Sequence, residues 1–413
     1  MMSGKNATML LCCGVWLLAW VQAGLAGTFY VDPENGKMDG DGSADKPWST
    51  LEAVVADKLG AVKPGDTILL RTGYHGDVNI SQARNDAVIT VAAEEGHKPV
   101  LSRLAVSRAS KWTFRGLTIT PSAAKEYQKC TIVSLGLRKK EPSSDLVIED
   151  CFIYSVLDTS KWSAEDWGAR ACNGISLGRD GKNLVARNNY LLNVRFGISM
   201  AAPGSLVEGN TIENFSGDGI RVTVDDLTVQ YNTIKNCYNV DANHDDGIQC
   251  FLFNKGRGTV RRATIRGNII INREDPKQPH RGPLQGIGFF DGPLVDFLVD
   301  KNVVLVAHWH GVSLYDAQGC KILDNAVYTK WHDEKPRPWI MLGSKQDRVG
   351  SNVVRGNLAH RFNLGKGEVD AAANEEVTEK AFYRKLGELE GVINKKFGAL
   401  HPVCRRPRIK KSP

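Results

Sequence analysis

Short runs of alternating apolar and polar residues dominate this chain, each closing on an amide or an acid. The runs are Leu146 to Asp150, Val185 to Asn189, Leu206 to Asn210, Thr228 to Asn232, Thr264 to Asn268, Leu298 to Asn302, Ile322 to Asn325 and Val353 to Asn357. Their closing residues stand 39, 21, 22, 36, 34, 23 and 32 apart, so the unit is 21 to 23 residues and longer intervals are that unit plus an insertion. Short alternating strands at such a period, with no helical pattern between them, predict a parallel β-helix. The repeating Asn fits a turn, because its side chain bonds turn backbone and tolerates the left-handed region, and stacked amides form a ladder from coil to coil. A leucine-rich repeat has a similar length but demands a regular Leu framework and helical return segments. Neither is present.

The insertions fall in one place. From turn Asn to the next Gly-Ile or Gly-Val there are 8 residues to Gly197, 9 to Gly219, 15 to Gly247, 18 to Gly286 and 9 to Gly311. Extra length before one strand of each coil makes loops that wall a groove along one edge of the solenoid. At the start, Leu51 to Leu59 reads as a short amphipathic helix covering the open first coil, and strands are expected at Ala87 to Ala92 and Trp112 to Ile119. At the end, Glu368 to Lys396 spaces Val377, Phe382, Leu386, Leu389 and Ile393 three to four apart, which predicts a helix serving as terminal cap or packed return.

Composition adds location and partner. Lys5, the apolar run Met9 to Val21 and Ala23 to Ala26 have the order of a signal peptide cut near Ala26. The expected organisation is therefore a signal peptide over 1–26, a β-helix domain over 27–364, and a helical segment with a basic tail over 365–413. Seven cysteines follow the signal at irregular spacing without a Cys-x-x-Cys pair, which argues for buried core residues over a disulfide scaffold or zinc site. The formal charge of +7 suits a polyanionic partner.

Candidate chemistry gathers between Ser216 and Tyr315. Coils stack about 4.8 Å apart, so equivalent positions of successive units become neighbours. The residues before the Gly form a column of Asn173, Phe196, Asp218, Asp246, Gln285 and His310. Two residues beyond the Gly lies a second column of Ser176, Ser199, Arg221, Gln249, Gly288 and Ser313, and further on stand Thr223, Phe251, Phe290 and Tyr315. Like charges at Asp218, Asp245 and Asp246 predict either a raised carboxyl pKa or an intervening cation. Asp241, Asn243 and Asp245 alternate oxygen donors as a calcium loop does, but Asp246 and Leu252 stand where an EF-hand needs Gly and Glu. A calcium ion held by Asp241 and Asp245 remains an expectation. His308 and His310 suit proton transfer, Trp309, Phe251, Phe290 and Tyr315 suit stacking on sugar rings, and Lys255, His280 and Arg281 lie on the insertions where they could hold carboxylates.

The entrance Phe29 to Asp32, with Gly40 to Gly42, Pro47-Trp48 and Pro64 to Ile68, resembles the amino-terminal signature of secreted right-handed parallel β-helix proteins of the pectate lyase-like superfamily. Alginate lyases and chondroitinase B belong to it, and His244 to Gln249 and His308 to Gly311 resemble phrases of a bacterial subgroup. The resemblance implies an all-β solenoid with an N-terminal capping segment and a C-terminal helical tail. It also implies a carbohydrate-active enzyme, secreted or periplasmic. The first activity implied is a polysaccharide lyase acting on uronic acids by β-elimination. Its catalytic candidates are Asp218, Asp245, Asp246, His308 and His310, and its substrate-binding candidates are Arg221, Gln249, Lys255, Arg281, Trp309 and Tyr315. The second is an inverting glycoside hydrolase, since Asp218, Asp245-Asp246 and His310-Gly311 repeat the order found in polygalacturonases. The third is a non-catalytic carbohydrate-binding or surface solenoid. The expected partner is an anionic polysaccharide met by a monomer, with no nucleic acid and no membrane contact after signal cleavage.

Overall fold

The computed structural model describes residues 26–137, 141–251, 258–331, 337–343, 350–365 and 368–398. Residues 1–25 of the segment expected to be a signal peptide, Lys255, Cys404 and the expected basic tail lie outside the described residues. The described strands form three long sheets of fourteen, eleven and twelve strands and a small three-stranded one. Every registered pair in these sheets that joins consecutive coils is parallel, as at Ile198, Ile220 and Ile248. One coil shows the plan: Leu206–Glu208 in the first sheet, the turn Asn210, Thr211–Phe215 in the third sheet, Ile220–Val222 in the second, then Thr228–Gln230 one level up in the first. The chain is a parallel β-helix. Its interior is one apolar column, with Ile198, Ile220, Ile248, Ile287 and Val312 stacked level by level and each at most 1% exposed.

The Asn ladder runs unbroken through Asn189, Asn210, Asn232, Asn268, Asn302, Asn325, Asn357 and Asn374. Each Nδ2 donates to the next Oδ1 at 2.9–3.0 Å, and each backbone N–H donates to the same oxygen, so each level meets a buried donor of the level below. Two expectations change here. The ladder asparagines themselves are not the left-handed residues; the residue before each is, as at Asn188, Tyr231, Lys301 and Asp324 with φ near 55°. Asp150 is such a left-handed residue, and Cys151 occupies the ladder level, its N–H donating to Asn189 Oδ1 at 3.1 Å. The turn places its φ > 0 residue one step before the side chain that must point inward, and Gly and Asn fill that step at low cost.

The entrance signature is structural. Asp66 accepts N–H bonds from Gly27 and Lys63 at 2.6 Å each, Asp32 caps the turn at Glu34 and Asn35, and Phe29 stacks on Trp48 at 4.8 Å. Helix α1 spans Leu51–Asp57, capped by Thr50, and buries Leu51 and Val54 against the first coils; a 3₁₀ turn at Leu59–Ala61 finishes it. Strands at Arg84–Ala93, Ser110–Arg115 and Thr118–Ile119 cover the two predicted segments. A second short helix, α2, spans Ala164–Arg170 with a Ser163–Asp166 capping box.

The carboxy-terminal expectation shifts. Val369–Ala372 and Glu375–Glu376 are strands that extend the first and third sheets, so the solenoid carries on beyond 364, and helix α3 spans only Glu379–Phe397. It is a return helix. Phe382 meets Tyr328 at 5.2 Å, Leu389 joins the cluster with Ile269, Val303 and Leu305, and Lys396 pairs with Glu208 at 3.0 Å. The Phe397 ring fills the space where a Cβ on Gly209 would sit, 2.6 Å away.

Candidate active site

The site is built on the outward face of the second sheet. Register pairs Ser176 with Ser199, Arg221, Gln249, Gly288 and Ser313 in succession, which is the predicted second column. The glycine column is required by close stacking: a Cβ on Gly219 would stand 2.6 Å from the Gly247 carbonyl oxygen, and one on Gly286 would stand 2.2 Å from that of Gly311. Removing the side chain there lets the loop residue before each Gly turn in toward the sheet.

Asp218, Asp245 and Asp246 do meet, but beneath the surface, at 1%, 3% and 0% exposure. Asp218 Oδ2 accepts from Arg221 Nε at 2.6 Å and its Oδ1 from the Asp246 N–H at 3.2 Å. The Arg221 guanidinium lies 3.3 Å from the Phe196 ring centroid, so the ion pair is roofed by an aromatic face. Asp245 accepts from the amides of Asn243 at 2.9 Å and Asn239 at 3.0 Å. Burial pushes its carboxyl up to about 6 against those hydrogen bonds. Asp246 accepts from Gln249 at 3.0 Å, and burial followed by the charges of Asp218 and Asp245 raises it well above the usual carboxylate range. Burial also raises Asp218, opposed by Arg221. Asp246 Oδ1 and Gln285 Oε1 are both buried without a hydrogen-bond partner, on register-paired residues. Thus these acids hold the loop and Gln249 in place.

Above them opens a cavity of about 590 Å³ lined by His244, Gln249, Cys250, Phe251, Gln285, Phe290, Asp291, His308, Trp309, His310 and Tyr315. Register shifts between His310 and Val312 relative to the next coil, and this irregularity turns His310 to the face that also carries Ser313 and Tyr315. His310 Nδ1 and Ser313 Oγ are hydrogen-bonded at 2.8 Å, and the indole N–H of Trp339 points at both, at 3.4 and 3.3 Å. Phe290 packs between His310 (4.9 Å) and Tyr315 (5.6 Å). His308 Nδ1 accepts the His310 backbone N–H at 3.1 Å, so neutral His308 carries its proton on Nε2 and offers a donor. Burial lowers both imidazoles to about 4, for His308 with help from His310 and His244, while burial raises the Tyr315 phenol. At neutral pH the cavity therefore presents neutral imidazoles facing a neutral phenol. Trp309, 45% exposed and stacked on Trp339 at 6.2 Å, stands at the rim.

Three expected residues lie elsewhere. Arg281 donates to the Pro276 carbonyl at 2.7 Å and closes its own loop, while His280 bonds the Trp162 carbonyl at 3.0 Å and ties that loop to the segment before α2. Asp241 is ion-paired to Arg195 at 2.9 Å. The calcium expectation does not fit this donor set: Asp241 is turned to an arginine, and both oxygens of Asp245 already accept amide hydrogens. Among the described residues no three His, Cys, Asp or Glu side chains gather as a metal cluster. Trp339 and Asp291 were not expected at the site. Trp339 follows an insertion and lacks the Gly-Ile phrase that marks the other coils, and Asp291 sits just past its strand, so only tertiary register reveals them.

Comparison with known proteins follows the same lines. A family model described as right handed beta helix region matches residues 104–279. Among solved structures, "The complex structure of XylC with xylose" is 11% identical, with 80% of this chain and 75% of that chain covered and a TM-score of 0.53. A rhamnogalacturonan lyase is 13% identical over 86% and 90%, TM-score 0.50. The lacto-N-biosidase of glycoside hydrolase family GH136 from Eubacterium ramulus is 14% identical over 86% and 67%, TM-score 0.50. No curated protein matches the sequence. At these identities the likeness is one of fold.

Proposed function

We infer that this chain, a right-handed parallel β-helix of the pectate lyase-like fold, is a secreted or periplasmic polysaccharide lyase that cleaves uronic-acid-containing chains by metal-independent β-elimination. One observation carries the reading: His310 and Tyr315 share a cavity in the protonation states that elimination requires. The reaction takes the proton at C5 of a uronate, neutralises its carboxylate, and protonates the departing glycosidic oxygen. His310, neutral above about pH 5, takes the C5 proton on Nε2 in the tautomer whose Nδ1–H donates to Ser313 Oγ, the oxygen that also accepts the Trp339 indole N–H. Tyr315, its phenol raised by burial, still holds its proton and gives it to the leaving oxygen. His308 Nε2–H, the Gln249 amide and His244 are the cavity's donors for the substrate carboxylate. Trp309 and Phe251 are flat faces for neighbouring sugar rings.

Inverting hydrolysis is the less supported reading, because it needs two carboxyl groups in contact with the sugar. Asp218, Asp245 and Asp246 are at most 3% exposed, and among the described residues Asp291 is the one carboxylate that lines the cavity. The test is incubation of the mature protein with alginate, pectate and glycosaminoglycans, with and without chelator, following unsaturated-uronate absorbance and reducing ends. Elimination gives both signals, insensitive to chelation, and His310→Ala or Tyr315→Phe lowers the rate at least 100-fold in a protein that stays folded. Reducing ends without absorbance would establish hydrolysis, and binding without either product would establish a non-catalytic module.

A further inference from the structure

Far along the same sheet from the cavity, two cysteines are placed as a bonding pair. Thr131 registers with Asn173, and the Asn173 N–H donates to the Cys130 carbonyl at 3.0 Å, so Cys130 and Cys172 are the preceding residues of adjacent parallel strands. Parallel neighbours are spaced about 4.8 Å, inside the roughly 4.4–6.8 Å Cα separation that a disulfide spans. The backbone N–H of Cys130 donates to Cys172 Sγ at 3.2 Å, and the Tyr127 hydroxyl approaches that sulfur to 3.5 Å. Both thiols are free in this structure. Cys172 is fully buried, but Cys130 is half-buried and lines a separate cavity of about 450 Å³ shared with Tyr74, Asp77, Arg103 and Lys125.

We propose that Cys130 and Cys172 form a redox-dependent disulfide, made by exchange with a small disulfide oxidant that enters through the cavity beside Cys130. Cys130 Sγ, passing its proton to the Cys172 thiolate that it faces, attacks one sulfur of the oxidant, giving a mixed disulfide and releasing one thiolate. The Cys172 thiolate then attacks Cys130 Sγ and expels the second. Two protein thiols are oxidised, one oxidant disulfide is reduced to two thiols, and the two protons pass to the released thiolates. In the reduced pair, hydrogen bonding from Cys130, then from Tyr127, outweighs burial and pulls the Cys172 thiol down to about 6, while the same contact and burial push Cys130 up, so Cys172 is the proton acceptor of the first step. The Tyr127 hydroxyl and the Cys130 N–H remain as donors after Cys130 has reacted.

The bond would join strand Thr131–Leu135 to the end of the insertion carrying α2. That insertion braces the site's loops, since Trp167 stacks on Tyr238 at 4.6 Å and the Trp162 carbonyl meets His280. The test uses the folded full chain, reduced and then equilibrated in oxidised and reduced glutathione, alkylated, and digested without reductant for mass spectrometry. The expected product is one peptide pair linked through Cys130 and Cys172, with two fewer titratable thiols than the reduced protein. Oxidation should also raise the thermal midpoint of the wild type and leave that of Cys130→Ser unchanged. Persistent glutathione on Cys130 without the internal link, or alkylation of both cysteines, would overturn the proposal. Peptide mapping needs no variant, so poor folding of Cys172→Ser leaves the test intact.

Discussion

Asp245→Asn separates a buried acid that holds the site from one that reacts in it. The folded protein keeps the Asp245 proton up to about pH 6, against an ordinary value of 3.8, so folding binds the proton more tightly than the unfolded chain does. The stability this brings is fully present below pH 3.8 and is lost as pH rises through about 6. At 1.36 kcal/mol per unit, the difference amounts to about 3 kcal/mol for a side chain this buried. Asn cannot ionise, so the variant escapes that loss. It gives up one of the two amide hydrogen bonds from Asn239 and Asn243, because its own NH₂ must face one of them, at a cost of about 1 kcal/mol. Urea unfolding at pH 8 should therefore show Asp245→Asn more stable than wild type by about 2 kcal/mol, with the advantage gone at pH 4. The histidines are common to both proteins and cancel in the difference. Turnover at pH 8 should stay within about threefold of wild type. A stability difference that does not change between pH 4 and pH 8 refutes the buried-proton account. A folded Asp245→Asn protein without activity refutes the placement of the reacting groups in the histidine cavity.

Three further outcomes follow from the same geometry. If His310 is the base, kcat/KM should be flat from pH 7 down to about 5 and fall below it with an apparent pKa near 4, since the imidazole must be neutral to accept a proton; a descending limb at 6 to 7 would exclude it. Asn268→Ala should cost about 3 kcal/mol in urea unfolding, because it removes the acceptor of the Asn232 N–H and the donor to the Val229 carbonyl, two buried groups at roughly 1–3 kcal/mol each; a cost below 1 kcal/mol would show that water replaces the ladder. Gly288→Ala should destabilise by about 1–3 kcal/mol and lower the rate, as its Cβ would stand 2.2 Å from Asp246 Oδ1 and 2.5 Å from the Phe290 ring that packs on His310; wild-type kinetics would show that Phe290 does not position that histidine.

The repeat was legible because each level has to satisfy the same backbone groups, so the Asn and the Gly-Ile phrases recur wherever the turn and the close approach recur. Cys151 escaped that rule because its sulfur sits at the ladder level with no amide, and only pairing with Asn189 places it. The column Arg221, Gln249, Gly288 and Ser313 was also readable, since strand alternation fixes which residues share a face. Depth was not. Asp218, Asp245 and Asp246 stand at the level the sequence implies, yet whether a carboxylate before a Gly faces solvent or packs under a loop depends on the loop itself, and the insertions leading to Asp246 and Gln285 fold over these acids. His308 and His310 are adjacent-but-one and an ideal strand puts both on one face; the irregularity before Val312 and the bond from the His310 N–H to His308 give them different duties.

Helix α3 has a consequence for the order of assembly. A solenoid couples each coil only to its neighbours, but α3 runs back from the level of Tyr328 to that of Glu208, touching coils whose residues are translated long before it. During synthesis the coils around Glu208, Tyr231 and Ile269 must stand without this helix, their side wall open to water. Once it has emerged, α3 acts as a latch, joining levels that adjacency alone would let open separately.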